Sequence, residues 1–316
     1  MTGGYDTNGK IDLTTLKAVD VSGTLYRFSG KRWEKEQDSN YKDLRENSLV
    51  QAIFVGDKIV GLANGGTKGD KLYVGEQNAE TSTMEWKQET QIGDTCYSLL
   101  LGGDGKAYAT TYDGRLYQYN GTEWKKLREK TNERVRMLAV ESEDEIWIAA
   151  SDSKTAAKIQ KYEYKEGQLN KTLECTTPMG ISDLPTGFLK EANAMFCIYN
   201  GSLWESKDDG KKWTRQIIDS DGDAGDTLKT IQKTKYGNFY LGSKGAFYYD
   251  GTALGGTAKT DNEYNARTVF VSVSSSDAKT KNFAFSGKVT VDNQFDLTPY
   301  LTYYRYGGGG DGEIPT

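Results

Sequence analysis

The chain has 316 residues with 36 Gly, 4 Pro and 12% aromatics, and its 40 Lys+Arg against 45 Asp+Glu leave a formal net charge of −5. Abundant bulky aromatics without a three-residue Gly period exclude collagen-like and disordered chains, and the length suits one large all-β domain or two ordinary ones. The sequence contains no His, which excludes His general bases, Ser-His-Asp and Cys-His arrangements and His-ligated metals, while mild acidity with few Arg argues against nucleic acid as a partner.

Taken in chain order, the strand signals arrive as hairpins. Gly23 opens the run Leu25-Tyr26-Arg27-Phe28, which leads to a turn at Gly30 and then Trp33; its period-two alternation marks a half-buried strand. Strands are expected at 50–55 and 58–62, followed by Leu72-Tyr73-Val74 and, after a longer turn, Met84 and Trp86. The next unit has strands at 96–101 and 106–111 and then repeats the opening hairpin without a gap: Gly114, Leu116-Tyr117-Gln118-Tyr119, Gly121, Trp124. Strands at 136–140, 145–150, 158–164, 168–174 and 194–199 follow. A third copy, Gly201, Leu203-Trp204-Glu205, Gly210, Trp213, carries two extra residues in its turn. Beyond it, 228–233, 238–241 and 245–250 make a copy lacking the Trp, and 269–274, 282–286, 288–291 and 300–304 finish the pattern. Asn120-Gly121 and Asp250-Gly251 are tight-turn dipeptides, because Gly enters φ > 0 without steric penalty. A single short helical stretch is expected at 41–47.

Four strands recurring every ~40–45 residues match a propeller blade, which cannot bury both faces alone and must stack on its neighbours. The sequence therefore predicts an all-β fold, a single β-propeller domain over 1–305. Its four-stranded blades fall at 11–40, 45–90, 91–128, 132–174, 178–218, 225–256 and 265–305, seven being favoured over six, with a flexible Gly-rich tail at 306–316. A β-sandwich is the alternative, but it does not require a recurring four-strand unit.

Ser206-Lys207-Asp208-Asp209-Gly210-Lys211-Lys212-Trp213 resembles the Asp box of BNR-repeat β-propellers, the sialidase-like group that includes photosystem assembly-factor propellers, with Lys212 in place of the usual Thr. The chemistry explains the spacing: Ser206 and Asp208 cap backbone N–H groups, Gly210 takes the left-handed position and Trp213 packs over the hairpin. The resemblance implies a structural turn remote from any active centre. Sialidases are the known enzymes of that group, yet their Arg-Ile-Pro signature is absent. Arg134, Arg136 and Arg267 fall near the starts of inner strands, where such enzymes grip a carboxylate.

On a propeller, one face is formed where inner strands begin and where second strands turn into third strands. The sequence places Arg45, Glu46, Asp94, Asp113, Arg134, Arg136, Asp226, Tyr264 and Arg267 on those loops, as candidates to bind a polar ligand, a glycan or a protein loop. Asp219, Asp221, Asp223 and Asp226 form the densest carboxylate cluster and offer oxygen ligands for Ca²⁺, although Thr230 stands where an EF-hand has Glu, and a solvated interblade loop is the plainer reading. The Gly runs at 65–69 and 102–105 open no helix and read as hairpin turns instead of phosphate loops.

Cys96, Cys175 and Cys197 are widely spaced and read as small buried apolar residues, with a Cys175–Cys197 bridge as an alternative. No apolar run approaches the ~18–20 residues of a membrane-spanning helix. Small polar residues directly after Met1 resemble the tether behind a bacterial lipoprotein's acylated Cys, with Met1 in that place. This implies an exported protein, periplasmic or on the cell surface, with a lipid anchor; a cytosolic protein is the alternative. The functional expectation is a non-catalytic binding or scaffold propeller for a protein or glycan partner, without a cofactor. The alternatives are a sialidase-like glycoside hydrolase and an assembly factor.

Overall fold

The computed structural model describes residues 2–5, 11–20, 22–29, 33–39, 41, 49–63, 70–92, 95–152 and 154–216, and the strand backbones at 228–234, 237–242, 246–249, 271–272, 282–285 and 302–305. Its strands form antiparallel meanders. The first unit comprises β1 (Thr2–Tyr5), β2 (Ile11–Val19), β3 (Leu25–Phe28) and β4 (Trp33–Ser39). The second comprises β5 (Leu49–Val55), β6 (Lys58–Ala63), β7 (Lys71–Asn78) and β8 (Thr83–Gln88). The third comprises β9 (Cys96–Leu101), β10 (Ala107–Thr111), β11 (Leu116–Tyr119) and β12 (Trp124–Arg128), and the fourth β13 (Arg134–Ser142), β14 (Glu145–Ser151), β15 (Lys158–Lys165) and β16 (Gln168–Thr176). The fifth comprises β17 (Gly187–Lys190), β18 (Met195–Tyr199), β19 (Ser202–Ser206) and β20 (Thr214–Gln216). Two three-stranded sheets follow, β21 (Leu228–Thr234), β22 (Gly237–Gly242) and β23 (Ala246–Tyr249), then β24 (Val271–Ser272), β25 (Asn282–Phe285) and β26 (Thr302–Arg305).

First strands of successive units lie side by side: β5 against β9, β9 against β13, β13 against β17 and β17 against β21. The sheets that begin with β5, β9, β13, β17 and β21 thus start at a shared centre and step outward strand by strand, which is the arrangement of a β-propeller. The expected helical stretch at 41–47 falls mostly outside the described residues, as do the expected strand at 288–291 and the tail at 306–316.

Alternation explains why the middle strands look continuously apolar. In β10, Ala107 and Ala109 join the core shared with the second unit, while Tyr108 between them joins the core shared with the fourth. In β14, Ile146, Ile148 and Ala150 face the third unit, whereas Trp147 and Ala149 pack on Phe188, Met195 and Cys197 of the fifth. In β6, Val60 and Leu62 face the third unit, and Ile59 and Ala63 meet Val19 and Leu25 of the first. A strand buried on both faces carries apolar side chains at both parities. Each large side chain so buried stabilises the stack by about 1.5–3 kcal/mol. The outermost strand β16, by contrast, has no fully buried residue.

Two features depart from the sequence reading. The first sheet begins at β1, upstream of the expected start at residue 11. The outermost strands of the first two units also pair in parallel, Asp38 with Thr83 and Ser39 with Met84, and fuse the units into one eight-stranded sheet. Each of these strands has an open edge of N–H and C=O groups, and the pairing covers the C-terminal end of one and the N-terminal end of the other. The three cysteines are free thiols, Cys96 and Cys197 buried and Cys175 half-buried.

Candidate functional site

In every unit the first strand begins, and the second strand ends, at the same end of the sheet. We call this end the mouth. Tyr97 lies near the start of β9, and Arg134 and Arg136 at the start of β13, on one face because they are two residues apart. Tyr112 sits in the turn from β10 to β11 and is 46% exposed. Its ring meets that of Tyr97 edge to face, with centroids 4.7 Å apart. The guanidinium of Arg136 lies over the Tyr97 ring, 5.2 Å from its centre, and Arg136 Nη2 donates to the Tyr97 hydroxyl at 3.3 Å. Asp70 enters from the second unit, where its carbonyl accepts from Cys96 N at 2.8 Å. Burial, then Asp70 and Tyr97, push the Tyr112 hydroxyl above its ordinary pKa, while Arg136 and Arg134 pull it back.

Both arginines also reach the connection between the fourth and fifth units. Arg134 Nη2 donates to Ser182 O at 3.3 Å and Arg136 Nη1 to Pro185 O at 3.0 Å. This connection exposes Met179 (49%) and Ile181 (42%). Arg27, Arg115 and Arg128 each hold a carboxylate, of Glu36, Asp113 and Glu133 respectively, at 2.7, 3.1 and 2.6 Å. Among the described residues no carboxylate lies within 4.0 Å of Arg134 or Arg136. Arg134 Nε is buried without a hydrogen-bond partner.

Asp113 occupies the same end but is engaged locally. Its Oδ1 accepts from Thr111 Oγ1 at 2.6 Å, its Oδ2 pairs with Arg115 at 3.1 Å, and its carbonyl accepts from Thr131 N at 2.8 Å. Arg45, Glu46, Asp94, Tyr264 and Arg267 lie outside the described residues, as do Asp219, Asp221, Asp223 and Asp226 with their calcium reading. Among the described residues no three acidic or thiol side chains are grouped to hold a metal ion. The sequence reading missed Tyr97, Tyr112 and the 179–185 connection. The Tyr-Asp-Gly turn at 112–114 offered a signal, but nothing local says that Tyr112 leans on Tyr97.

The open edges of β9 and β13 are bonded by side chains of the preceding unit. Gln51 Nε2 donates to Leu99 O at 2.8 Å. Met137 N donates to Ser98 Oγ at 2.8 Å, Ser98 and Thr110 share a hydroxyl bond of 2.6 Å, and Thr110 Oγ1 donates to Val135 O at 2.6 Å. A second network joins the same two units. Glu143 Oε1 accepts from Lys106 at 2.8 Å and from Gln118 at 2.9 Å, and Gln118 also donates to Tyr108. The Lys106 bond holds Glu143 below the ordinary carboxylate range.

The turn between β19 and β20 contains the Asp-box-like segment, at the opposite end of its sheet from the mouth. Ser206 Oγ accepts from Gly210 N at 2.9 Å and donates to Asp208 Oδ1 at 2.8 Å, and Asp208 Oδ1 accepts from Lys212 N at 2.9 Å. Gly210 has φ +80 and is wedged against Cys175 of the fourth unit. Trp213 Nε1 donates to Thr176 O, also of the fourth unit, at 2.9 Å. Lys212 contributes its backbone N–H, so a Lys serves where the Asp-box pattern has Thr.

No family model and no curated protein sequence matches the chain. The solved structures similar to it include three that serve as examples. They are YCF48 from Cyanidioschyzon merolae (14% identity, 73% of this chain and 89% of that one, TM-score 0.43), the computationally designed Ika8 protein (12%, 90% and 80%, 0.45) and the WD40 β-propeller domain of Doa1 (11%, 74% and 70%, 0.43).

Proposed function

We propose that this chain is a non-catalytic β-propeller that binds a macromolecular partner at its mouth, and that it belongs with the Asp-box propellers. The observation that carries the binding reading is the exposed Tyr112 resting on Tyr97, beside two arginines that have no carboxylate partner among the described residues. An exposed aromatic held rigid on a sheet scaffold supplies contact area at little entropic cost. The Ser206, Asp208 and Gly210 bonding pattern supports the Asp-box kinship. The absence of His and the neutral contacts of Arg134 and Arg136 favour recognition over chemistry. A protein or a glycan can fill this role, and an assembly-factor role is one form of it.

The test places a photo-crosslinking amino acid at Tyr112 and, as a control, at Asn170 on the outermost strand of the fourth unit. Adducts from position 112 alone support the reading, and equal or absent capture at both positions refutes it. Hydrolysis of a fluorogenic sialoside or hexoside that disappears in Tyr97→Phe would overturn the non-catalytic part.

A further inference from the structure

Resting on the reading of the mouth as a binding face, we infer that its ligand is an acidic polypeptide segment whose carboxylates sit on Arg134 and Arg136 and whose neighbouring apolar side chains lie on Tyr112, Met179 and Ile181. A half-buried guanidinium is usually matched by an anion, because its planar fork is costly to desolvate without one. Arg115 and Arg128, also half-buried, follow that rule, each with a carboxylate of its own. Among the described residues Arg134 and Arg136 bond only neutral oxygens. Carboxylates suit these two guanidinium groups best, since they accept two N–H bonds from one fork.

Spacing narrows the ligand further. The two arginines are two positions apart along the strand, so their Cα atoms are about 6.6–7 Å apart. An extended peptide with acidic residues at alternate positions has the same repeat. Side chains between those carboxylates point to the opposite face of the extended segment, so the apolar contacts fall to the residues that flank the acidic pair, where the peptide leaves the two forks. Tyr112 lies on one side, and on the other Ile181 and Met179 stand one and three positions before Ser182, whose carbonyl Arg134 holds. A sialylated glycan or free phosphate would use the arginines and leave the exposed Met and Ile side chains without contact. Asp70 and Asp183 flank the site without pairing to either arginine at 4.0 Å, and they disfavour carboxylates placed away from the two forks.

The test uses fluorescein-labelled peptides and the full chain. One probe flanks an alternating acidic pair with Leu (Leu-Leu-Glu-Gly-Glu-Leu-Leu), a second has Gln for each Glu, and a third has Gly for each Leu. The first should bind, with the second and third each at least about tenfold weaker. Arg134→Gln/Arg136→Gln should abolish binding of the first probe. Arg134→Lys/Arg136→Lys preserves the charge and guards against a fold that loosens at residues 182–185; it should bind at an intermediate level, because an ammonium lacks the fork. Equal binding of the Glu and Gln peptides overturns the inference. So does saturation by N-acetylneuraminate or inorganic phosphate with no gain from the Leu-Glu peptide, which would indicate an acidic glycan or a simple anion. If no probe binds but position 112 still captures a partner, this inference falls and the binding reading stands. If position 112 captures nothing, the binding reading itself falls.

Discussion

Gly210→Ala is expected to destabilise the protein by about 2–5 kcal/mol. Gly210 has φ +80, a conformation that costs an L-residue roughly 1–2 kcal/mol. A Cβ there would also collide with Cys175 Sγ, lie 2.6 Å from Cys175 Cβ and 3.0 Å from Met195 Cε, and such overpacking costs about 1–3 kcal/mol. Cys175 Cβ is fixed to the backbone of the fourth unit and cannot retreat without opening the interface between the units, whereas Met195 Cε, at the end of a flexible side chain, can swing aside. The assay is urea denaturation followed by Trp fluorescence, reading the midpoint at unchanged slope. Combining the change with Cys175→Ala removes the Sγ collision, so the double variant should lose less than the sum of the single losses by about 1 kcal/mol. The reasoning fails if Gly210→Ala lies within about 0.5 kcal/mol of the parent, or if the two changes simply add.

Thr110→Val removes the hydroxyl that serves Val135 O and Ser98, and should cost about 1–3 kcal/mol in the same assay, with Thr110→Ser costing less; equal losses would mean that the relay contributes nothing. Trp86 donates its indole N–H to Gly23 O at 3.0 Å, whereas the buried Trp124 N–H has no partner. Trp86→Phe should therefore destabilise by about 1–2 kcal/mol and Trp124→Phe by clearly less, measured by urea midpoint, and the reverse order would contradict this account. Burial holds the Asp20 carboxyl above its ordinary pKa despite bonds from Ser22 and Thr24, so its folded form gains relative stability as pH falls through the carboxylate range and loses that gain as pH rises through the folded value. Glu143 is held low, so the stability it adds is present above the unfolded value near ~4.3 and is lost as pH falls through its folded value. Across about pH 3–7, Asp20→Asn should gain on the parent as pH rises and Glu143→Gln should fall behind; flat differences would refute both signs. Burial pushes the Cys96 thiol up to about 12 and Cys175 to about 11. Titration of the native protein with a thiol reagent should therefore be slow at Cys175 and undetectable at Cys96 and Cys197, and fast labelling of Cys197 would disprove its burial.

The repeating hairpins were legible because their signals are local. Gly at the turn, alternation along Leu116 to Tyr119 and Trp124 at the start of the next strand all act within a dozen residues. The apolar runs at 107–111 and 195–199 are equally local, since a strand covered on both faces has no polar parity to lose. The bonding of Ser206, Asp208 and Gly210 also follows from their spacing. Nothing local announces β1, whose Thr-Gly-Gly-Tyr has weak strand propensity and forms only against β2. The character of the mouth lay beyond the sequence for the same reason. Arg134 and Arg136 could be placed at a strand start, but the carbonyls they hold lie 48 and 49 positions away. Alternation along a chain states which side chains share a face. Which distant atoms they meet, and which charges are left without a partner, depends on how one sheet stacks on the next.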